Sequence, residues 1–349
     1  MKRTVNIGVA GCGRIARLVH LDALARLPGV RVVAAADADP KRLAEAKRRL
    51  PGAALYPDYR HLVENPGVEA LVICLPPALH AAAALTALAA GKHVYVEKPI
   101  AIDLEQARAV IRAWRESGLV GMMGFNYRHS WQYREAKRCL HSGRLGALVG
   151  ARSMFASRAD ALPAWKQMRA QGGGVLLDLA SHHVDAVRFL LEQEVVEVSA
   201  AAGSRRSEID TATLHLRLAD GLLVQSSFFL NAVDEDRFEI YGEAGKLTLD
   251  RYAGTVEVTA PVFEYGRVPQ TRRALRGLVH RVAGALRAPG EGSFRTALAA
   301  FVAAVGDGRP ASPDLEDGYR SLAVVMAAEE AARHGRAVRL DGTERRPGA

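Results

Sequence analysis

Val5-Asn6-Ile7-Gly8-Val9-Ala10-Gly11-Cys12-Gly13-Arg14-Ile15-Ala16 decides the fold of this chain. The run from Val5 to Ala10 is a short apolar segment of the kind that forms a buried strand, and Ile15 to Arg26 has helical spacing. Between them, Gly11 permits a tight turn and Gly13 lets the backbone approach an anion. Ala16, small at the third position, permits close helix–strand packing. The backbone of Gly11, Cys12, Gly13, Arg14 and Ile15 would face a pyrophosphate at the helix N-terminus, where unpaired N–H groups and the helix dipole favour negative charge. A purely structural turn is the alternative for an isolated glycine-rich match. The strand before it and the helix after it point to a dinucleotide.

Outward from this loop, short apolar runs alternate with helix-length segments as far as Gly121. Strands are expected at 31–36, 70–75, 93–96 and 120–124, with helices at 40–50, 79–90 and 104–116. Strict alternation implies an α/β, Rossmann-type doubly wound parallel sheet. Beyond Gly124 the character changes. Helices are expected at 131–142 and, after Gly172-Gly173-Gly174, at 175–191. Strands follow at 147–155, 195–202, 211–218, 222–230, 237–242 and 246–250, joined by short turns, and two helices close the chain near 294–305 and 317–334. This reads as an α+β C-terminal domain with a large, mainly antiparallel sheet. The expected domains are 1–123 for the dinucleotide and 124–349 for substrate and oligomerisation, since 349 residues exceed one ordinary core.

Asp37 ends the second expected strand. A carboxylate there accepts hydrogen bonds from an adenosine ribose hydroxyl and repels a 2′-phosphate, which favours NAD over NADP. Lys41 and Arg42 keep NADP possible by offering a phosphate compensating charge, and Asp39 before Pro40 suits a helix N-cap. The net charge of +9 comes mostly from arginine and accompanies no nucleic-acid-binding motif. It hints at an anionic cofactor or substrate, with compositional bias as the plainer cause. Cys12, Cys74 and Cys139 are too widely spaced for a metal site or disulfide framework. The most apolar stretch, Val72 to Ala90, is interrupted by Pro76, Pro77 and His80, so no membrane span is expected. Met1-Lys2-Arg3 leads directly into a strand without a secretory signal pattern, and a cytoplasmic protein is the expectation.

Further motifs are Leu75-Pro76-Pro77-Ala78-Leu79-His80, Ala90-Gly91-Lys92-His93-Val94-Tyr95-Val96-Glu97-Lys98-Pro99, Gly124-Phe125-Asn126-Tyr127-Arg128, and Gly172-Gly173-Gly174-Val175-Leu176-Leu177-Asp178-Leu179-Ala180-Ser181-His182. In this order they resemble the Gfo/Idh/MocA oxidoreductases, whose members include inositol dehydrogenase and glucose–fructose oxidoreductase, over nearly the whole chain. The resemblance implies that Leu75 and Pro76 line the adenine and ribose side of the cofactor, although many relatives carry Thr-Pro-Asn there. It places His80, Glu97 and Lys98 near the nicotinamide; a surface histidine at a helix start is the alternative for His80. It also implies dimers or tetramers paired through the open face of the C-terminal sheet.

Oxidising an alcohol with a nicotinamide requires a hydride to leave carbon and a proton to leave oxygen. Lys98, at the C-terminal end of a parallel strand, would stabilise a developing alkoxide. Asp178 and His182, four residues apart on a helix, share a face, so the carboxylate can orient the imidazole as general base. Within the family pattern, Lys98, Asp178 and His182 form the catalytic set and also contact substrate. His183 lies about 100° round the helix from His182 and is a substrate-side or packing residue. Asn126 and Arg128 are candidates for the rim of the cofactor and polyol site. Trp165 is either a wall against the sugar or nicotinamide, or a core or interface residue.

Five arginines between Thr271 and Gly290, with apolar residues at helical spacing, read as a docked surface helix. The alternatives are an anchor for a sugar-nucleotide diphosphate and a helix meeting an acidic surface. The expected substrate is a sugar, polyol or nucleotide sugar. Two other readings are chemistry that keeps NAD bound and ends in hydrolysis, elimination or epimerisation, and a non-catalytic NAD-binding regulator.

Overall fold

Strand β1 (Val5–Ala10) is the centre of a six-stranded parallel sheet. The computed structural model describes residues 3–158, 163–259 and 292–340. Around β1 the sheet is built from β2 (Val30–Ala36), β3 (Ala54–Tyr56), β4 (Ala70–Ile73), β5 (His93–Val96) and β6 (Gly121–Met123), in the order β3-β2-β1-β4-β5-β6. Val5 pairs with Val30 and Ile7 with Ala70, so β1 is covered on both edges. All four residues of β4 are buried, which is why it carries no polar alternation. The intervening helices are α1 (Leu21–Ala25), α2 (Pro40–Arg49), α3 (Tyr59–Glu64), α4 (His80–Ala89) and α5 (Leu104–Ser117). Asp39, Asp58 and Asp103 cap α2, α3 and α5 by accepting from the backbone N–H of Lys41, Arg60 and Gln106.

Among the described residues, the second sheet has eight strands. α6 (Trp131–His141) precedes β7 (Leu148–Ser157), and α7 (Ser181–Leu191) precedes β8 (Val195–Gly203), β9 (Thr211–Leu218), β10 (Leu223–Leu230), β11 (Glu235–Gly242), β12 (Gly245–Asp250) and β13 (Thr255–Thr259). α8 (Gly292–Asp307), α9 (Leu315–His334) and β14 (Val338–Arg339) complete the described chain. The order β13-β12-β11-β7-β10-β9-β8-β14 is antiparallel throughout except for the parallel pair β7–β10. The large sheet is therefore mixed, though mainly antiparallel as the turns imply. Strand β9 shows the alternation of a sheet covered on one face: Ala212, Leu214, Leu216 and Leu218 are buried, while His215 and Arg217 between them are exposed. One face thus supplies the core beneath α6 and α7. The other leaves Val149 at 65 % and Leu223 at 55 % exposure.

Among the described residues, one compact unit takes 3–129, 163–173 and 292–326, and the other takes 130–158, 174–259 and 327–340. The first unit therefore closes its core with late sequence. Ala297, Leu298 and Phe301 of α8 are fully buried in the cluster built on Val5, Ile7 and Val9, and Phe301 meets Tyr95 edge-on at 5.7 Å. The arginine-rich stretch between Thr271 and Gly290 lies outside the described residues.

Candidate active site

The glycine loop is shaped by what it packs against. Gly11 has φ +93°, and a Cβ there would lie 2.6 Å from the carbonyl oxygen of Cys74, so the turn admits neither the side chain nor its backbone conformation at low cost. Gly13 differs: a Cβ there would have Arg42 Nη1, 4.0 Å away, as its nearest neighbour. Gly11 is thus required by the fold, while Gly13 leaves the loop open to an approaching group. The helix that follows starts with a π-turn at Ala16–His20, with Ile15 partly buried and Arg14 exposed.

Asp37 sits at the C-terminal end of β2, buried to 8 % exposure. Its Oδ2 accepts from the Cys12 N–H and its Oδ1 from the Asp39 N–H, both at 2.8 Å, and Arg42 Nη1 lies 3.7 Å from Oδ2. The carboxylate expected to meet a ribose therefore also holds the glycine loop in place. Each carboxylate oxygen has a second lone pair, so capacity for a hydroxyl donor remains. Burial and the neighbouring Asp37 charge push the Cys12 thiol up to about 12, which keeps it protonated beside the loop.

At the ends of β4 and β5, His80 is not a surface residue. It is buried, with Nδ1 2.6 Å from the Pro99 carbonyl oxygen and Nε2 2.7 Å from that of Leu75. Leu75 and Pro76 form the partly exposed turn before it. Glu97 is also buried, and its Oε1 lies 2.7 Å from Nε2 of His20 on the glycine-loop helix. This pairing was not anticipated; a histidine on an apolar helix face carries no signal of a partner 77 positions away. Gly124 makes room for it, since a Cβ there would lie 2.9 Å from the Glu97 carboxylate. Lys98 reaches partial exposure between the buried Glu97 and Pro99. Asn126 donates from Nδ2 to Ser293 Oγ at 3.0 Å, and its buried Oδ1 has no hydrogen-bond partner among the described residues. Arg128 forms a largely buried ion pair with Asp317 at 3.1 Å, which occupies a side chain expected at a polyol rim. Trp165 is partly exposed on the turn Ala164–Gln167, with Lys166 Nζ 5.5 Å from its ring centroid.

In the second unit, Gly174 at φ +89° starts the segment carrying Asp178 and His182. A π-turn, Leu176–Ala180, leads into α7, and the Ser181 hydroxyl donates to the Leu177 carbonyl at 2.7 Å. Single π-turns of this kind are frequent at functional sites. Asp178 and His182 are partly exposed, whereas Leu177, Leu179, Ser181 and His183 around them are buried. His183 faces the sheet. Its Nδ1 lies 3.0 Å from Ser153 Oγ and its Nε2 3.1 Å from Asp236 Oδ1, and Phe155 stacks on its ring at 5.2 Å. Asp236 also accepts from Tyr133 and Arg251 at 3.4 Å. The His183 ring has no exposure, which fits the packing role among the two open to it. Asp185, on the same helix, forms an ion pair with Arg188 at 3.6 Å.

The glycine cradle, the carboxylate ending β2 and the Asn126 oxygen without a hydrogen-bond partner among the described residues fit a dinucleotide. Among the described residues there is no cluster of three His, Cys, Asp or Glu side chains able to hold a metal, and no helix is long and apolar enough to cross a membrane.

Residues 5–125 match the model of an oxidoreductase family with an NAD-binding Rossmann fold, and residues 133–248 match the Gfo/Idh/MocA C-terminal domain. The chain is 33 % identical to inositol 2-dehydrogenase 2 of Saccharopolyspora erythraea, covering 93 % of this chain and 92 % of that one. It is 27 % identical to myo-inositol 2-dehydrogenase of Thermotoga maritima, covering 97 % and 99 %. The fold matches that of a levoglucosan dehydrogenase solved with NADH, with a TM-score of 0.85 at 24 % identity over 97 % of this chain and 99 % of that one. The loop, the sheet order and both domain models agree, and the chain belongs to the Gfo/Idh/MocA family of NAD-binding oxidoreductases.

Proposed function

We propose that this protein is an NAD-dependent dehydrogenase acting on a secondary hydroxyl of a sugar or inositol. The observation that carries the proposal is the selective exposure of three polar side chains. Lys98, Asp178 and His182 each emerge from stretches whose flanking residues are buried, as groups that must meet a ligand do. The inositol dehydrogenases among its relatives support the substrate class.

Bound NAD supplies the hydride acceptor. His182 takes the hydroxyl proton as general base, and Asp178, one turn before it, orients the imidazole and stabilises its protonated form. The Lys98 ammonium donates to the substrate oxygen and lowers the cost of its developing negative charge. Gly11, Cys12, Gly13, Arg14, Ile15, Asp37, Leu75, Pro76, Glu97 and Asn126 bind the cofactor, with 1–123 as the dinucleotide part and 124–349 as the substrate and pairing part. The open face of the large sheet, with Val149 and Leu223 exposed, pairs subunits into a dimer or tetramer in the cytoplasm.

Absorbance at the NADH band, with NAD or NADP and a panel of inositols, sugars and nucleotide sugars, tests the proposal. NADH formation with one class, abolished in Lys98→Ala, is the expected result. Tight NAD binding with no NADH from any class would refute the dehydrogenase and favour chemistry that regenerates its cofactor, or a regulator.

A further inference from the structure

His80 starts α4, and its buried ring touches two carbonyl oxygens, Pro99 at Nδ1 and Leu75 at Nε2, at 2.6 and 2.7 Å. A carbonyl oxygen only accepts, so each contact is a hydrogen bond only when that nitrogen carries a proton. A neutral imidazole has a single N–H and would turn a lone pair toward one of the two oxygens. We propose that His80 is a positioning residue for Lys98: an imidazolium that clamps the turn after β4 to the turn after β5. Pro99 follows Lys98 directly, so holding its carbonyl limits where the lysine backbone, and hence the ammonium, can sit. Leu75 belongs to the turn assigned to the cofactor ribose, so one ring joins the cofactor turn to the catalytic lysine. The inference rests on the proposed role of Lys98.

Charged groups act on the ring from both sides. Burial lowers its pKa from the ordinary value; the Pro99 and Leu75 carbonyls and the Glu97 carboxylate work against that shift, and the Lys98 ammonium works with it. Two carbonyl oxygens already aimed at the ring nitrogens are acceptors that only the doubly protonated ring satisfies, and the cation is assigned on this geometry, against the pull of burial.

The test has two arms. In the full-length protein labelled with nitrogen-15 histidine, the His80 ring signals are assigned by their loss in His80→Gln. Both ring nitrogens are expected to show N–H character at neutral pH, with and without NADH. A lone-pair signal from either nitrogen there overturns the imidazolium clamp. In the second arm, His80→Leu is expected to lower kcat by up to about 100-fold, the scale of a misplaced catalytic group. His80→Gln, which restores one donor, should recover part of the loss, with NADH affinity changed far less than kcat. Equal kcat in all three proteins overturns the positioning role. If no substrate is turned over, the dehydrogenase proposal fails, while the ring-nitrogen spectrum still decides whether the clamp exists. Should His80→Leu not fold, His80→Gln and the wild-type spectrum carry the test.

Discussion

Replacing Gly11 and Gly13 separately by alanine should produce two different defects, because the two glycines answer to different constraints. At Gly11 the φ of +93° is strained for alanine, which costs about 1–2 kcal/mol. The added methyl would also lie 2.6 Å from the Cys74 carbonyl oxygen and 2.9 Å from the Leu75 nitrogen, backbone atoms that cannot swing aside. Overpacking of that kind adds about 1–3 kcal/mol. The sum, about 3 kcal/mol, corresponds to a fall in Tm of about 6–12 °C for a cooperative unit of 150–250 residues. Gly13→Ala meets nothing nearer than Arg42 at 4.0 Å, so its Tm should stay within about 2 °C of wild type. Its NADH affinity should nevertheless fall at least about tenfold, since the methyl would stand where the pyrophosphate approaches the backbone. Thermal unfolding followed by circular dichroism, with NADH titration by fluorescence, separates the two. Wild-type NADH affinity in Gly13→Ala would refute the reasoning, as would an unchanged Tm in Gly11→Ala.

His182→Asn should lower kcat by about 100- to 10,000-fold, the usual worth of a general base, with NADH binding unchanged by calorimetry. Full turnover in that variant would end the assignment. His183→Leu leaves the buried Asp236 carboxylate without one donor and should destabilise the protein by about 3 kcal/mol in urea unfolding. Asp37→Ser removes a carboxylate that would repel a 2′-phosphate and leaves Arg42 beside the loop; the NADPH-to-NADH affinity ratio should rise about tenfold or more, and adding Arg42→Ala should reverse the gain. On the open sheet face burial raises the pKa of Glu239, but its bonds with Lys246 and Arg152 prevail and hold it at about 2. Because the folded value lies below the unfolded one, the stabilisation is complete above about pH 4.5 and disappears as pH falls toward about 2. Glu239→Gln should therefore cost on the order of 2 kcal/mol at neutral pH and much less at about pH 2, read from urea unfolding at the two pH values.

The parallel sheet was legible because its buried strands are unbroken apolar runs separated by helices of ordinary length, as Ala70–Ile73 illustrates. β3 escaped because Ala54–Tyr56 is too short to display a period, and β13 because its five residues are mostly half-buried. The parallel β7–β10 pair was hidden for another reason: short turns announce antiparallel neighbours, while long-range pairing leaves no local mark. Neither π-turn has a sequence signature, although one carries Asp178. Candidates for the site were legible where residue type and position in a motif coincide, as at Gly11, Lys98 and Asp178. The contacts beside Lys98 were not, since His20 reaches Glu97, and His80 reaches Pro99, only once the chain has folded.

The lodging of α8 in the first core sets a clock on synthesis. Val5, Ile7 and Val9 are made among the first residues, yet Ala297, Leu298 and Phe301, which complete their burial, are made near the end. At about 5–20 residues per second, a ribosome needs roughly 10–35 s to pass from the last strand of the first sheet to the end of α8. Throughout that interval the nascent nucleotide-binding half presents an apolar surface that only its own later sequence will cover. A truncated gene ending near residue 125 would prolong that exposure indefinitely. Its product should aggregate or engage chaperones unless the late helix is supplied in trans.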